Sequence, residues 1–333
     1  MKHANIGIFI PHLACNHSCV FCNQVKISGH ESVPSPDEVS RCLKSAVSRL
    51  EGRTAEIAFF GGSFTGLDTD TMTEYLKAAY PFIDGKTVTG IRLSTRPDYI
   101  NNEILSILKR YGVTDIELGA QSMDDGVLSL SARGHSAADT ERSSRLIKEN
   151  GFRLVLQFMP GLPGDSPEKT LATAEKIASL CPDGVRIYPT VVIRGTKLAS
   201  LYESGEFTPY SLETAVSLSA KMYELFSKKG ISVLRMGLHS DIKAEDIVAG
   251  PFHPAFGELV YSEIYKNRFD EAMMGKNIKN PVFRVKKNEL SMALGQKKKN
   301  VSYIEDKYGI LSEIICDDER SVYSDAIAIP SIH

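Results

Sequence analysis

The chain has 333 residues, 42% hydrophobic and 24% charged, the balance of an ordinary globular protein with ample material for a large core. A formal net charge of −2 supplies no global basic field for nucleic acid, and no apolar run approaches the length of a membrane span. The six cysteines lack a secretory context, so a reducing cytoplasm is expected, with no membrane and no DNA partner.

Apolar strand-like runs alternate with amphipathic helical runs. The first strand is Ile6–Ile10, cut off by Pro11. A helix near Pro36–Leu50 follows, opened by Ser35 as N-cap, Pro36 at the first helical position and Glu38 completing a capping box. The second strand, Glu56–Phe60, precedes a helix near Asp70–Ala79. The third, Thr89–Leu93, precedes one over Asn102–Tyr111. The fourth, Asp115–Gly119, leads to helices near Asp124–Ser131 and Ala137–Asn150. The fifth, Arg153–Phe158, precedes a helix near Pro167–Leu180, and the sixth, Gly184–Ile187, one near Leu212–Lys229. Repeated strand–helix units imply a parallel sheet under helices. The expected fold is α/β: a partial (β/α)6 TIM-like barrel over residues 1–239, with Ile231–Met236 a candidate further strand. Past His239, Gly250, Pro251, Pro254 and Pro281 break the rhythm. Strand candidates there are Val282–Val285, Leu311–Cys316 and Ala326–Ile329, with a helical stretch near Leu290–Tyr308. Residues 240–333 are expected to form a small α+β appendage.

Chemistry in parallel βα folds collects on loops at the carboxyl ends of strands. Every strand here is followed by an unusual loop: CNHSCVFC, GGSFTG, STRPD, GAQSMDD, MPGLPGD and YPTVVIRGT. In the first, Cys15, Cys19 and Cys22 are spaced C-x3-C-x2-C. Three thiolates on one tight loop hold three corners of an iron–sulfur cube and leave the fourth iron open to a small molecule. The alternative is a zinc site with His12 or His17 as fourth ligand, a stabilising centre in a binding module without turnover. Cys42, Cys181 and Cys316 are scattered and read as small buried apolar residues.

C-x3-C-x2-C after the first strand, with Phe21 before the last cysteine, resembles the radical S-adenosylmethionine (SAM) superfamily, over roughly Ile6 to His239. STRPDYI, GAQSMDDGVLSLSARGH, GFRLVLQFMPGLPG and RIYPTVVIRGTKLASLYESGEF resemble the radical-SAM domain of the Elongator catalytic subunit and relatives of oxygen-independent coproporphyrinogen oxidase. Two departures stand out: the cysteine loop is shorter than the Elongator one, and the ~90 residues after His239 are too few for an acetyltransferase domain.

The resemblance implies a 4Fe–4S cluster on Cys15, Cys19 and Cys22, reductive cleavage of SAM to a 5′-deoxyadenosyl radical, and a reductant such as flavodoxin or ferredoxin. It implies SAM contacts at Gly61, Gly62 and Ser63 (the amino group), at Gln121 (near SAM) and Arg133 (the methionine carboxylate), and at Phe21, Gly161, Ile187 and Tyr188 (the adenine). Arg96 is a carboxylate contact or one half of an ion pair with Asp98. His135 reads as structural. The substrate is open; the Elongator-like loops make tRNA the leading candidate, with a heme-pathway substrate as an alternative. The Lys297–Lys299 run is either a phosphate contact or a solvated loop.

Overall fold

The structure is a computed structural model describing residues 3–10, 19–23, 32–238, 242–276, 278–316 and 326–332. Cys15, His12 and His17 lie outside the described residues. The chain divides into two compact units, Met1–Ser211 with Leu225–Phe252, and Leu212–Glu224 with His253–His333.

The first unit is built on a seven-stranded sheet, curled into a half-barrel, in the order β1 (His3–Ile10), β2 (Thr54–Gly61), β3 (Val88–Thr95), β4 (Val113–Gln121), β5 (Arg153–Phe158), β6 (Gly184–Ile187) and β8 (Ser232–Met236). All six pairings are parallel, so every strand ends at the same edge. Helices α1 (Pro36–Val47), α2 (Thr69–Ala79), α3 (Asn102–Arg110), α4 (Asp125–Leu130), α5 (Ala137–Glu149) and α6 (Pro167–Ser179) form the crossovers that parallel pairing requires. The capping box read from Ser35 and Glu38 is formed: Ser35 Oγ accepts from the Glu38 amide at 3.3 Å, and the Ser35 amide donates to Glu38 Oε2 at 2.8 Å. The further strand read at Ile231–Met236 is β8, the seventh of the sheet. A two-residue strand β7 (Val192–Ile193) pairs antiparallel with β9 (Ile247–Ala249), and a short helix α7 (Lys197–Glu203) lies between the sixth and seventh strands; the sequence reading contained none of these three.

Alternate residues divide the sheet. Ile57, Ile91, Leu93, Ile116, Leu118, Leu154 and Leu156 are fully buried on the helix-covered face. There Phe158 meets Phe226, on helix α8 (Leu212–Lys228), ring edge to ring face at 5.9 Å. Burying each such side chain contributes roughly 2–3 kcal/mol. The opposite face is polar. Glu56 pairs with Arg92 at 3.5 Å and with Arg153; Asp115 pairs with Arg153 at 2.8 Å, and Glu117 with Arg186 at 2.9 Å. The inner wall of the half-barrel is therefore lined with matched charges.

The second unit carries α9 (Phe256–Met273), which buries Val260, Ile264, Tyr265 and Phe269, and a three-stranded parallel sheet, β11 (Glu313–Cys316)–β10 (Val282–Val285)–β12 (Ile327–Ala328). The single helix expected over Leu290–Tyr308 is two, α10 (Leu290–Leu294) and α11 (Lys299–Tyr308). Asn300 explains the break: its Nδ2 donates to Ser262 O and to Ala293 O, both at 2.9 Å, docking the turn on α9. Lys297 and Lys298 then take left-handed φ of 52° and 59° and stand exposed.

Glu289 is fully buried and accepts from Tyr265 Oη, from Ser331 Oγ at 2.9 Å and from the Ile332 amide at 3.2 Å. Glu289→Ala leaves these donors without their acceptor, an expected loss of about 3 kcal/mol. Denaturant unfolding of the two chains measures it, and midpoints that coincide would remove Glu289 from the account of this unit's stability.

Candidate active site at the carboxyl edge of the sheet

The first strand's loop returns to the described chain at Cys19. Its Cys22 amide donates to Cys19 O at 3.1 Å, closing a tight turn between the two cysteines. Val20, between them, is fastened twice: its amide donates to Ser131 O at 3.2 Å, and its carbonyl accepts from the Leu198 amide at 2.7 Å. Val20 and Phe21 are buried with Val127, Leu162, Leu198 and Phe207, and both cysteines pack against this cluster. Among the described residues no group of three metal-ligating side chains is assembled, Cys15 being outside them.

At the end of β4 a register shift between Gly119 and Gln121 marks a bulge, and Gln121 sits at φ 63°, a conformation uncommon outside glycine. Bulges beside active sites re-aim side chains. Here the bulge brings the Gln121 amide and the Arg133 guanidinium over the same backbone atom. A Cβ added at Gly119 would lie 2.7 Å from Gln121 Nε2 and 2.9 Å from Arg133 Nη2. Arg133 donates from Nη2 to Gly119 O at 2.7 Å and from Nη1 to Cys19 Sγ at 3.2 Å. Its Nε and the Gln121 Oε1 are buried without a protein partner. Two orphaned polar atoms, a donor and an acceptor, next to a cysteine sulfur call for a ligand, because leaving them unpaired costs about 1–3 kcal/mol each.

Gly61 adopts φ 110°, and the Gly62 amide donates to Ile10 O at 2.9 Å, closing the β1–β2 edge; Ser63 is buried beside them. Arg96 takes the ion-pair alternative, forking onto Asp98 at 2.9 and 3.0 Å with its cation 5.4 Å from the Tyr99 ring centre. Gly161 sits at φ 83° with the Tyr210 ring 2.8 Å from where a Cβ would be, and its amide donates to Asp165 Oδ2 at 2.8 Å. Burial pushes the Asp165 carboxyl above the usual carboxylate range and the Tyr210 hydroxyl up to about 12. A cavity of about 440 Å³ opens between Gly161, Leu162, Phe207 and Val20. Ile187 ends β6 in register with Phe158, which puts it on the helix-covered face. Tyr188 follows on the polar face, bonded to Arg186, its hydroxyl raised by burial.

Three features lay outside the sequence reading. Thr190 is buried with an unpartnered hydroxyl, and its amide donates to Pro160 O at 2.8 Å. Ser131 and Leu198 supply the two backbone grips on Val20. The alternation Asp115, Glu117, Gly119, Gln121 in β4 was the available signal for a polar inner wall.

His135 Nε2 donates to Ala120 O at 3.2 Å, while its Nδ1 is buried and unpartnered. Burial first, then the Arg133 and Arg96 cations, push its pKa down to about 4. The folded chain therefore resists protonating His135. That contribution is complete above the ordinary value near 6.5 and is lost as pH falls toward 4, by roughly 3 kcal/mol. Unfolding at pH 7 and pH 5 is expected to narrow the stability gap between wild type and His135→Gln at the lower pH; parallel pH profiles would contradict it.

Residues 9–177, half of the chain, match the Radical SAM superfamily, and residues 182–266 match the Radical_SAM C-terminal domain. The chain belongs to the radical SAM superfamily. A tRNA uridine(34) acetyltransferase of Dehalococcoides mccartyi is 28% identical over 255 residues, covering 66% of this chain and 56% of that protein. The chain thus spans about half the length of this curated relative. Elp3 of the archaeon Methanocaldococcus infernus, solved with an N-terminal deletion, superposes at TM-score 0.62 with 23% identity, over 93% of this chain and 68% of that one. Coproporphyrinogen III oxidase (HemN) of Escherichia coli superposes at 0.51 with 17% identity, over 68% of this chain and 53% of that one. At these identities the two structures attest the fold alone, a partial barrel.

The radical SAM superfamily implies an iron–sulfur cluster and SAM, and the residues present suit both. Two thiols on one turn are soft donors for iron. Gln121 Oε1 and Arg133 Nε offer an acceptor to an ammonium and a donor to a carboxylate, the two charged groups of an amino acid.

Proposed function

We propose that this chain is a radical SAM enzyme whose cluster is held by Cys15, Cys19 and Cys22 and whose substrate is a tRNA. The reading rests on one convergence: the Cys19 sulfur, the orphaned Arg133 Nε and the orphaned Gln121 Oε1 meet at the carboxyl edge of the sheet. When bound, the cluster and SAM supply one-electron chemistry, the reductive cleavage of SAM to methionine and a 5′-deoxyadenosyl radical. The chain's part is to bind and orient. Gln121 and Arg133 take the amino-acid head of SAM, with Gly61, Gly62 and Ser63 offering backbone and hydroxyl at the neighbouring strand end. Phe21, Gly161 and Tyr188 surround the adenine, while Ile187, on the helix-covered face, backs the strand behind Tyr188 and is withdrawn from that set. Arg96, held by Asp98, contributes a neutralised ion pair to that edge. The charged inner wall keeps polar groups available to a substrate entering the half-barrel. Residues 1–239 form the catalytic barrel in this reading, and 240–333 an accessory region.

The tRNA assignment is supported by the relative's name and by the exposed Lys297–Lys299 run. Reversing all three charges is expected to weaken tRNA binding and lower its salt slope by about 2, at roughly 0.7 per lost phosphate contact. The enzyme is taken to work in the cytoplasm with flavodoxin or ferredoxin as donor. Anaerobic reconstitution with iron, sulfide, dithionite and SAM tests the whole. Formation of 5′-deoxyadenosine, faster with total tRNA, is the expected result. Zinc-loaded, colourless protein that leaves SAM intact overturns the enzyme; stimulation by a tetrapyrrole and not by tRNA overturns the substrate.

A further inference from the structure

We infer that Arg133 sets the reduction potential of the cluster through a charged hydrogen bond to the Cys19 sulfur, a role separate from any contact with SAM. The inference rests on the reading of Cys19 as a cluster ligand. Arg133 is 7% exposed, and the guanidinium is divided between two partners in fixed positions: Nη2 on Gly119 O at 2.7 Å and Nη1 on Cys19 Sγ at 3.2 Å. The backbone around it is equally constrained. The Arg133 amide donates to Leu128 O at 3.0 Å, Ala132 before it stands at φ 51°, and Ser131 O grips Val20. One short segment therefore holds the sulfur of residue 19 and the amide of residue 20 together, so the cation cannot drift from the thiol without the loop moving.

A buried cation that donates to a ligating sulfur draws charge from it and favours the cluster state with one more electron. Hydrogen bonds to sulfur and local net charge are among the levers by which proteins set cluster potentials. The guanidinium keeps its charge at every working pH, which makes this bias permanent. The electron itself comes from a one-electron carrier of low potential; Arg133 alters only how readily it is accepted. Gly119 is part of the device, because a Cβ there would lie 2.9 Å from Nη2 and oblige the guanidinium to shift.

The test uses the full chain, reconstituted anaerobically and kept free of SAM, titrated with dithionite and mediators while electron paramagnetic resonance follows the reduced cluster. Arg133→Gln is expected to retain iron and sulfide and to become at least tenfold harder to reduce, about 59 mV for a one-electron couple. Arg133→Lys keeps charge without the fork and should fall between. Should Arg133→Gln fail to load iron, Gly119→Ala, which pushes the guanidinium off its seat, serves in its place with the same expected downward shift. A fully loaded variant with an unchanged midpoint overturns the inference and leaves the SAM reading intact. A wild-type chain that assembles no 4Fe–4S cluster overturns the reading beneath it.

Discussion

Cys19→Ala is expected to leave the chain folded and to remove its iron. The Cys19 thiol is only partly buried, and the turn it sits on is held by backbone: the Cys22 amide on Cys19 O, and Val20 between Ser131 and Leu198. None of these bonds involves sulfur. Losing the thiol costs the fold one hydrogen bond, that from Arg133, or about 1–2 kcal/mol. The proposed metal centre would lose one of its three ligands. Removing an outer-sphere partner already costs roughly 10–100-fold in metal affinity, so removing a ligand should cost more and take SAM cleavage to background. Iron content by elemental analysis, together with a thermal melt, decides the matter. Wild-type iron in Cys19→Ala would exclude this cysteine from the ligand set.

Gly119→Ala should reproduce most of that catalytic loss by a different route, with iron retained. The added methyl group would meet Gln121 Nε2 and Arg133 Nη2, both tips of long side chains that can swing aside. Gly119 is not in the left-handed region, so alanine brings no backbone strain, and the stability cost should stay under about 1 kcal/mol. Function is more exposed than stability here. Both side chains proposed to hold the SAM head must shift to admit the methyl group, and misplacement of about 1 Å in a positioned group can cost roughly a hundredfold in rate. A melt within a few degrees of wild type, with SAM cleavage and SAM affinity both depressed, is the expected pair of results. Full activity would separate Gln121 and Arg133 from the reaction.

The strand–loop rhythm was legible because its physics is local. Apolar runs of four to eight residues ending at or near Gly, Pro or Ser mark the barrel strands, and the Ser35–Glu38 box marks a helix start, before any tertiary contact exists. Features that depend on distant partners were not. Helix α9 follows Gly250, Pro251 and Pro254, and its apolar residues spread around the axis instead of forming a stripe, so neither its start nor its period announced it. The break before Lys299 needs Asn300 to find Ser262, and the sequence cannot say that these meet. The site divides in the same way. The cysteine spacing marked the loop proposed to hold a cluster, whereas Ser131, Leu198 and Gly119 act through a backbone carbonyl, a backbone amide and the absence of a side chain, none of which leaves a signature in residue type. Arg96 carried two readings of equal chemical sense, and the proximity of Asp98 in space selects the ion pair.

The double fastening of Val20 bears on how such a centre is built. In many small metal sites the loop is disordered until the metal gathers it, so the ordering entropy of several residues, about 1–2 kcal/mol each, is set against the binding energy. Here the backbone between two of the thiols is already tied to neighbouring elements by bonds that owe nothing to metal. On the proposed reading iron would meet a turn whose backbone is already set, and cluster assembly would be closer to ligand exchange than to folding.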